Sequence, residues 1–478
     1  MKDIKSLREK INEIDDKMQQ LFKERMHASS DIGNYKAANS LPVEAPEREK
    51  EILERTAEGS EEEIKPYMLN FQQHMFDLSK RYQKRLINSQ VSFLSPDRDS
   101  SPFTDAAFAV SKLASEDQSP DTVNATLGTL YDEDGRLAII PCVYEAYRQQ
   151  DDRRKARYAS QIQGNDDYLE LVWQWVNRLD NIHVPHGIIA APGGTGAINM
   201  AVANCLDTHE TMLIPDIGWG SYRTMASVLR LNTETYTLGK DISDLQEKAR
   251  RIMRNQRKLL VIINDPCHNP TGLSYGVEIW KQLIEFFNEL SQEGPVVVIN
   301  DIAYFDYSAD WQNATAYMSA FSDISDNVSV MIAFSCSKSL TAYGMRLGAL
   351  ITLASDQQKI TEIQSCFTRY ARATWSNVNN GFMDCFVTVL GEKKERYLTE
   401  KQNFIDMLKN RSQLFLKQAE ECGLPTYPYK EGFFITVPVA DSETLSRLHS
   451  KLIDNHIYTV KILQGHQDRH LFIKHETY

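Results

Sequence analysis

The sequence predicts an all-helical segment followed by an α/β segment. Residues 1 to about 90 contain almost no glycine, and their apolar positions recur at helical spacing. From residue 103 onwards, short apolar runs typical of buried strands alternate with helical patterns, which favours a largely parallel sheet. A stretch rich in Ser, Asp and Pro separates the two. We therefore expect domains at 1–90 and 103–478, joined by a linker at 91–102.

Length, charge and cysteine content narrow the class of protein. The 478 residues exceed one ordinary domain, and 42% hydrophobic residues suffice for large cores. A net charge of −12 without a strongly basic segment argues against a nucleic-acid binder. No signal-like segment and no long apolar run occurs, so we expect no membrane span. The seven scattered cysteines indicate reduced thiols in a cytoplasmic protein, without a disulfide frame or a metal site.

Three helices are expected in the first segment. Apolar residues recur at spacings of three and four through Ile4, Leu7, Ile11, Ile14, Met18, Leu21 and Phe22. This pattern predicts one long amphipathic helix that reaches about Ala38. Pro46 suits the first position of a second helix, which ends at Glu58, and a third should run from about Glu61 to Ile87. Helices of such unequal length close poorly, so we expect the apolar stripe to pack against a second copy.

Polar residues on these helices suggest a binding site for a compact dicarboxylate. The set comprises Arg8, Arg25, Lys36, Arg48, Glu49, Ser79 and Gln83. Helical spacing can turn Arg8 and Arg25 inward from opposite ends of the first helix. Several cations with a glutamate and a glutamine suit two carboxylates and a hydroxyl. The simpler interpretation is a solvated helix face.

In the order of these residues, the segment resembles the all-helical class of chorismate mutase over about residues 4 to 87. The matching motifs are Leu7-Arg8-Glu9-Lys10-Ile11, Asp15, Glu24-Arg25, Gly33-x-x-Lys36, Pro42-Val43 and Glu47-Arg48-Glu49. The resemblance implies that the two substrate carboxylates are bound by Arg8, Arg25 and Arg48.

The same resemblance places Lys36 and Gln83 at the breaking ether oxygen and Glu49 at the ring hydroxyl, with Ser79 as a further substrate contact. Catalysis in that family is mostly electrostatic preorganisation, without a covalent step. A helical domain kept for dimerisation or for effector binding is the alternative.

The α/β segment contains a lysine suited to covalent chemistry. The apolar run 330–334 predicts a buried strand, and Ser335-Cys336-Ser337-Lys338 follows it. Arg346 comes eight residues later, between Gly-Met and Leu-Gly. A lysine amine can form a Schiff base with a phosphorylated aldehyde, and serine hydroxyls with an arginine fork can hold its phosphate. A surface lysine in a polar loop is the simpler interpretation.

Two glycine-rich motifs precede this lysine. Gly193-Gly194-Thr195-Gly196 is expected to form a turn that opens a helix at 198–205, which would direct N–H groups at an anion. Trp219 lies between two glycines, where an indole can lie flat against a planar ring. Alone, the first is an ordinary loop as often as a site, and the second is more often a core tryptophan.

Two further motifs follow apolar runs that predict strands. Asn269, in Asn-Pro-Thr-Gly, follows the run at 259–263, and its amide can donate to a phenolate oxygen. Asp301 and Tyr304 follow the run at 296–300. A buried acid is costly unless it is paired with a cation, and a pyridinium nitrogen supplies one.

In this order, the motifs resemble the fold-type I, class I aminotransferases of the aspartate/aromatic kind, over about residues 101 to 470. The resemblance implies pyridoxal phosphate, a large mainly parallel sheet domain and a small C-terminal α+β domain. Lys338 would be the cofactor lysine and the proton-transfer base. Asp301 would pair the pyridine nitrogen, Asn269 and Tyr304 would bind the ring oxygen, and Trp219 would stack on the ring. The phosphate would be held by Gly194, Thr195, Ser335, Arg346 and, from a partner subunit, Tyr158.

Two arginines concern the substrate. Arg372, in Arg-Ala-Thr-Trp-Ser-Asn, resembles the family arginine that crosses the dimer interface to a distal substrate carboxylate. This favours dicarboxylic substrates, and an ordinary arginine at a helix start is the alternative. The resemblance also implies an arginine near the last strand that holds the substrate α-carboxylate, and Arg469 is the one arginine in that place.

Together, the two resemblances predict a homodimeric, bifunctional enzyme of aromatic amino-acid synthesis. One domain would convert chorismate to prephenate. The other would transaminate prephenate or phenylpyruvate, with glutamate or aspartate as the amine donor. The alternative is a general aspartate/aromatic aminotransferase whose helices are a non-catalytic dimerisation or effector-sensing module. A transcription regulator is disfavoured, because the first helices show no helix-turn-helix pattern.

Overall fold

The chain divides into two units, residues 1–102 and residues 103–478. The structure is a computed structural model that describes residues 3–87, 93–94, 98, 101–462 and 470–474. The expected linker at 91–102 falls mostly outside the described residues. Within the described ranges, every helix is too short or too polar to cross a membrane.

The first unit consists of helices Ile4–Ala38 (α1), Pro46–Glu58 (α2) and Lys65–Ile87 (α3). The ends of α1 and the bounds of α2 agree with the sequence pattern. Helix α3 begins later than expected near Glu61, because residues 62–64 form a turn. Most apolar side chains of α1 remain exposed. The unit therefore contains little hydrophobic core of its own.

The second unit alternates strands with helices, as the sequence pattern indicates. Its helices are Ala106–Glu116 (α4), Pro141–Gln149 (α5), Asp152–Ala156 (α6), Asp166–Val176 (α7), Gly193–Cys205 (α8), Ser221–Leu229 (α9), Ser243–Gln256 (α10), Val277–Leu290 (α11), Cys336–Ser339 (α12), Gln357–Thr374 (α13), Asn380–Leu390 (α14), Lys394–Glu421 (α15) and Ser442–Asp454 (α16). Its strands are Val123–Ala125 (β1), His186–Ala191 (β2), Thr211–Pro215 (β3), Asn232–Tyr236 (β4), Leu259–Asn264 (β5), Val296–Asp301 (β6), Val328–Ser335 (β7), Gly348–Leu353 (β8), Phe434–Pro438 (β9), Ile457–Ile462 (β10) and His470–Lys474 (β11). Short 3₁₀ helices cover Phe305–Tyr307, Ala316–Asp323 and Tyr343–Met345.

A seven-stranded sheet with the order β2-β8-β7-β6-β5-β3-β4 forms the centre of this unit. Strand β8 is antiparallel to both of its neighbours, and the other pairings are parallel. All six residues of β5 are buried, which explains why its sequence is a continuous apolar run. The strands β5, β6 and β7 end at one edge, where Asn264 pairs with Asp301 and Asp301 with Ala333.

A smaller sheet has the order β1-β10-β11-β9. Strand β1 pairs in parallel with β10, although more than 300 residues separate them. Asp117, just after α4, reinforces this join by accepting from His456 Nδ1 at 2.7 Å and from the Tyr458 hydroxyl at 2.8 Å. The small α+β domain is therefore not purely C-terminal, because its edge strand comes from the beginning of the unit.

Candidate active sites

Lys338 lies just beyond the carboxyl end of β7. Ser335 ends that strand, and its side chain caps the one-turn helix α12 that carries the lysine. The lysine Nζ donates to the Gly128 carbonyl at 2.6 Å. The same nitrogen lies 5.3 Å from the ring centroid of Tyr304 and 4.8 Å from that of Tyr343. The amine is thus partly enclosed by aromatic rings and is not part of an exposed surface loop.

Asp301, at the end of β6, is a buried carboxylate that accepts hydrogen bonds from uncharged groups. The Tyr222 hydroxyl donates to it at 2.6 Å and the backbone N–H of Ala303 at 3.0 Å. Burial raises the pKa of Asp301 despite these hydrogen bonds and the nearby Lys338 charge. Among the described residues, no salt bridge reaches this carboxylate. A cationic ring nitrogen would compensate its desolvation, so the site fits a pyridinium ring.

Two donors for a ring oxygen lie next to each other. Asn269 Nδ2 is 3.5 Å from the Tyr304 hydroxyl, and the Asn269 backbone N–H donates to Asn264 Oδ1 at 2.6 Å. Burial raises the pKa of Tyr304 well above its usual range, so the phenol stays neutral and retains its proton. Phe433 and Phe434 pack edge-on against its ring. The rings restrict where the Tyr304 hydroxyl can point.

The glycine-threonine motif lies inside a helix and not before it. Helix α8 begins at Gly193, so Gly194 and Thr195 belong to its first turn, and the expectation of a turn with a helix from 198 was wrong. Pro192 occupies the N-cap, and Gly193 adopts a φ of +76° that glycine tolerates without strain. The helix amino terminus therefore directs its free N–H groups next to Ser335, whose Cβ is 3.3 Å from a Cβ built on Gly194.

Arg346 lies beside this helix start. Its guanidinium donates to the Pro192 carbonyl at 3.1 Å and to Ser337 Oγ at 3.2 Å. A Cβ on Gly193 would lie 2.6 Å from Arg346 Nη2, so only glycine leaves room for the guanidinium. A guanidinium, a helix amino terminus and serine hydroxyls together suit a phosphate.

Trp219 and Tyr222 form an aromatic pair at the start of α9. Their ring centroids are 5.4 Å apart at an angle of 85°. Sequence analysis did not identify Tyr222 as a site residue. The spacing of Trp219 and Tyr222 was the available signal, because residues three apart at a helix start share a face.

Two further predicted residues of this site, Tyr158 and Arg372, are exposed in one copy of the chain. Tyr158 is 81% exposed. Arg372 is exposed in the last turn of α13, where its guanidinium donates to Ser376 Oγ. Arg372 therefore lies at a helix end, and the expectation of a helix start was wrong. Arg469 lies outside the described residues.

In the first unit, three predicted residues lie at the contact between α1 and α3. Ser79 Oγ is 2.5 Å from Ser29 Oγ, and Arg25 donates to the Met75 carbonyl at 3.3 Å. Burial lowers the pKa of Arg25. The side chain of Gln83 is buried, and its Oε1 has no hydrogen-bond partner among the residues that the structure describes. A Cβ on Gly33 would lie 3.1 Å from Gln83 Cγ, so α1 and α3 approach closely at this level.

The other four predicted residues of this unit behave differently. Lys36 donates to the Val43 carbonyl at 2.6 Å. Glu49 forms a salt bridge of 3.1 Å with Lys80, a residue that the sequence analysis did not select. Arg48 pairs with Glu51 on the exposed face of α2, and Arg8 is exposed near the start of α1. Within one copy of the chain, therefore, only part of the predicted set of polar residues lies between α1 and α3.

Both units of the chain are similar to known protein families. Residues 121–467 match the family model described as Aminotransferase class I and II, and residues 7–84 match Chorismate mutase type II. An aspartate aminotransferase from Pseudomonas aeruginosa is 24% identical over 307 residues, which is 62% of this chain and 75% of that protein. An aromatic-amino-acid aminotransferase from the same organism is 24% identical over 216 residues, covering 44% of this chain and 52% of that protein.

Solved structures are similar to a large share of the chain. A crystal structure of an aminotransferase from Anaerococcus prevotii has a TM-score of 0.75 and 28% identity, covering 80% of this chain and 94% of that one. An aromatic-amino-acid aminotransferase from Burkholderia pseudomallei, covalently bound to pyridoxal phosphate, has a TM-score of 0.61 and 21% identity, covering 77% and 93%. The chain therefore belongs to the aminotransferase class I and II family, and it is an enzyme that uses pyridoxal phosphate and carries a chorismate mutase domain ahead of its aminotransferase domain.

Proposed function

We propose that this enzyme rearranges chorismate to prephenate in its helical unit and transaminates prephenate or phenylpyruvate in its α/β unit. The main support for this proposal is that one chain contains two separate polar sites. Lys338, Asp301 and Tyr304 lie together at one edge of the large sheet. Arg25 and Gln83 lie between α1 and α3.

In the α/β unit, pyridoxal phosphate supplies an aldehyde and a ring that withdraws electrons. Asp301 would hold the proton on the ring nitrogen, and Tyr304 and Asn269 would donate to the ring oxygen. Trp219 would cover one ring face. Lys338 Nζ would remove the α-proton of the amino acid and return a proton when the acceptor is converted. The phosphate would be held by Gly194, Thr195, Ser335 and Arg346.

A second copy of the chain would complete both sites. Arg8 and Arg25 are 17 residues apart on one helix, and this spacing corresponds to about 25 Å along the axis. A compact dicarboxylate cannot span that distance, so Arg8 would serve the site of a second copy. The exposed apolar side chains of α1 supply a surface for such a contact, and they include Ile4, Leu7, Ile11, Ile14, Met18 and Leu21.

The same assembly would use two exposed side chains of the α/β unit. Tyr158 would reach the phosphate of the second copy, and Arg372 would reach the distal carboxylate of the substrate there. A guanidinium at that place favours dicarboxylic donors such as glutamate or aspartate, and it also suits prephenate, which carries a second carboxylate.

In the helical unit, Arg25 and Arg48 with Arg8 of the second copy would bind the two substrate carboxylates. Lys36 and Gln83 would face the ether oxygen, while Glu49 and Ser79 would bind near the ring hydroxyl. Among the described residues, Gln83 Oε1 is buried without a hydrogen-bond partner, so a substrate hydroxyl would satisfy it, while the Nε2–H end of the same amide could donate to the ether oxygen. The fixed charges would stabilise the polar transition state without any covalent step.

Loss of chorismate, followed by ultraviolet absorbance, tests the first activity. We expect the wild type to consume chorismate and the Arg25→Ala variant to lose this activity while its transamination persists. Arg55→Ala, which removes an exposed arginine from α2, is the matched control and should behave as the wild type. No chorismate loss in the wild type would instead support a general aminotransferase with a non-catalytic helical module.

Steady-state kinetics test the second activity. We expect prephenate or phenylpyruvate to be converted with a higher kcat/KM than oxaloacetate or pyruvate when glutamate is the donor. Conversion of unrelated keto acids alone would contradict the aromatic assignment.

A further inference from the structure

Asn377 joins two surface loops by its side chain. Its Oδ1 accepts the backbone N–H of Ala159 at 2.9 Å, and its Nδ2 lies 3.4 Å from the Gln161 carbonyl. Both backbone groups belong to the loop that follows α6. Asn377 itself belongs to the segment that follows α13. One amide therefore connects segments that are 218 residues apart in the chain.

Each of the two segments lies next to an exposed residue with a proposed role, Tyr158 or Arg372. Tyr158 directly precedes Ala159 and is exposed. Arg372 donates to Ser376 Oγ, and Ser376 directly precedes Asn377. A continuous path of covalent and hydrogen-bonded neighbours thus runs from the arginine to the tyrosine through Asn377.

The backbone of Ser376, which lies between Arg372 and Asn377 on this path, has an unusual conformation. Ser376 adopts a left-handed φ of +64°, and its N–H donates to the Ala371 carbonyl at 2.9 Å, which closes the end of α13. Such a conformation is uncommon for a residue other than glycine, so it persists only where neighbouring contacts hold it. The hydrogen bonds of Asn377 are contacts of this kind.

Neighbouring amides strengthen the same junction. Asn165 Nδ2 donates to Asn380 Oδ1 at 2.8 Å, and Asn380 Nδ2 donates to the Arg154 carbonyl at 2.8 Å. Asn379 Nδ2 donates to the Met345 carbonyl at 3.1 Å, next to Arg346. The junction around Asn377 is therefore part of a network that also reaches the loop of the phosphate-site arginine.

We propose that Asn377 is a positioning residue that holds Tyr158 and Arg372 in one fixed relation, so that a single rigid junction presents a phosphate contact and a substrate contact to a second copy of the chain. This inference rests on the roles given above to Tyr158 and Arg372. Asn377 touches neither cofactor nor substrate, and it acts through the two loops that it joins.

The test measures two constants on the full-length enzyme. One is the dissociation constant of pyridoxal phosphate, from absorbance titration of the apoenzyme, and the other is the KM for glutamate. Tyr158→Phe should raise the first alone, and Arg372→Ala should raise the second alone. Asn377→Ala should raise both by about fivefold, in line with the loss of the neutral hydrogen bond from the Ala159 N–H and of the longer one to the Gln161 carbonyl, while kcat stays near the wild-type value.

Two further variants keep the test specific. Asn377→Asp retains an acceptor for the Ala159 N–H and should restore most of both constants. Asn181→Ala removes an amide that joins another loop to the Thr315 and Ala316 carbonyls, at 3.1 and 3.2 Å, and should change neither constant.

The outcomes separate this inference from the proposed function. If Tyr158→Phe and Arg372→Ala act as expected but Asn377→Ala only lowers the melting temperature, the positioning role is overturned and the proposed function stands. If neither single variant changes its constant, the roles of Tyr158 and Arg372 fail, and the inference fails with them.

Discussion

The hydroxyl of Tyr222 donates to the carboxylate of Asp301 at 2.6 Å, and both side chains are almost fully buried. The ring of Tyr222 also packs edge-on against Trp219. Tyr222 thus contacts both Asp301, the proposed partner of the nitrogen in the cofactor ring, and Trp219, which is proposed to cover one face of that ring. Burial raises the pKa of Tyr222 well above its usual range, so the phenol remains a proton donor to the carboxylate.

Replacing Tyr222 by phenylalanine should weaken cofactor binding. The substitution keeps the ring against Trp219 but removes a hydrogen bond to an ionised group, so the dissociation constant of pyridoxal phosphate should rise by about tenfold. Titration of the apoenzyme measures this constant. Tyr236→Phe is the control, because its buried hydroxyl donates to the Ile262 carbonyl at 3.0 Å on another strand. Equal effects of the two variants would show that Tyr222 is merely structural.

Adding one methyl group at Gly128 should obstruct the site around Lys338. A Cβ there would lie 2.6 Å from the Tyr304 hydroxyl oxygen, 3.1 Å from Phe434 Cζ and 3.2 Å from Lys338 Nζ. We expect Gly128→Ala to lower kcat for transamination by about a hundredfold through misplacement of these groups. Gly276→Ala, where a Cβ meets open space, should retain activity. An active Gly128→Ala enzyme would contradict the expected obstruction of Tyr304 and Lys338.

A charge on the apolar face of α1 should abolish chorismate conversion. Ile11 is 56% exposed in one copy, so Ile11→Glu costs little in the isolated chain but places a carboxylate in the proposed contact between copies. Transamination should persist. Ser6→Glu adds the same charge at an exposed position of α1 that shares a face with neither Ile11 nor Arg8, and it should leave both activities intact. Unchanged chorismate conversion by Ile11→Glu would contradict a site shared between two copies.

The buried pair of Lys401 and Asp306 predicts a pH dependence of stability. Lys401 Nζ lies 3.1 Å from Asp306 Oδ1, and burial lowers the pKa of this lysine to about 8, although Asp306 opposes the shift. Between pH 8 and the ordinary value of 10.5, the unfolded chain binds the additional proton, so stability should rise with pH. The melting temperature of the wild type should therefore increase relative to Lys401→Met across this window.

The exposed Lys417, on the same helix, supplies the control for this measurement. Its pair with Glu421 is largely exposed, so Lys417→Met should show no comparable trend. A constant difference between the wild type and Lys401→Met across the window would refute the lowered pKa.

The local sequence determined where strands and motifs occur along the chain. Buried parallel strands must be apolar on both faces, so β5, β6 and β7 are visible as continuous apolar runs. The polar residues that follow such runs lie at one edge of the sheet, and Asn269, Asp301 and Lys338 were assigned to one site because their motifs resemble those of a known family. The bounds of α1 and α2 likewise follow from periodicity and from Pro46.

Tertiary structure alone decided which distant residues meet at that edge. Gly128 accepts from Lys338 across 210 residues, and Tyr222 donates to Asp301 across 79. Strand β1 joins the small sheet by pairing with β10. Local patterns carry no signal for such pairs, because a hydrogen bond between remote segments depends on how strands are ordered and on what else is buried there. The periodicity of apolar residues in the sequence specifies each helix and strand, whereas tertiary packing alone specifies which other elements lie beside it.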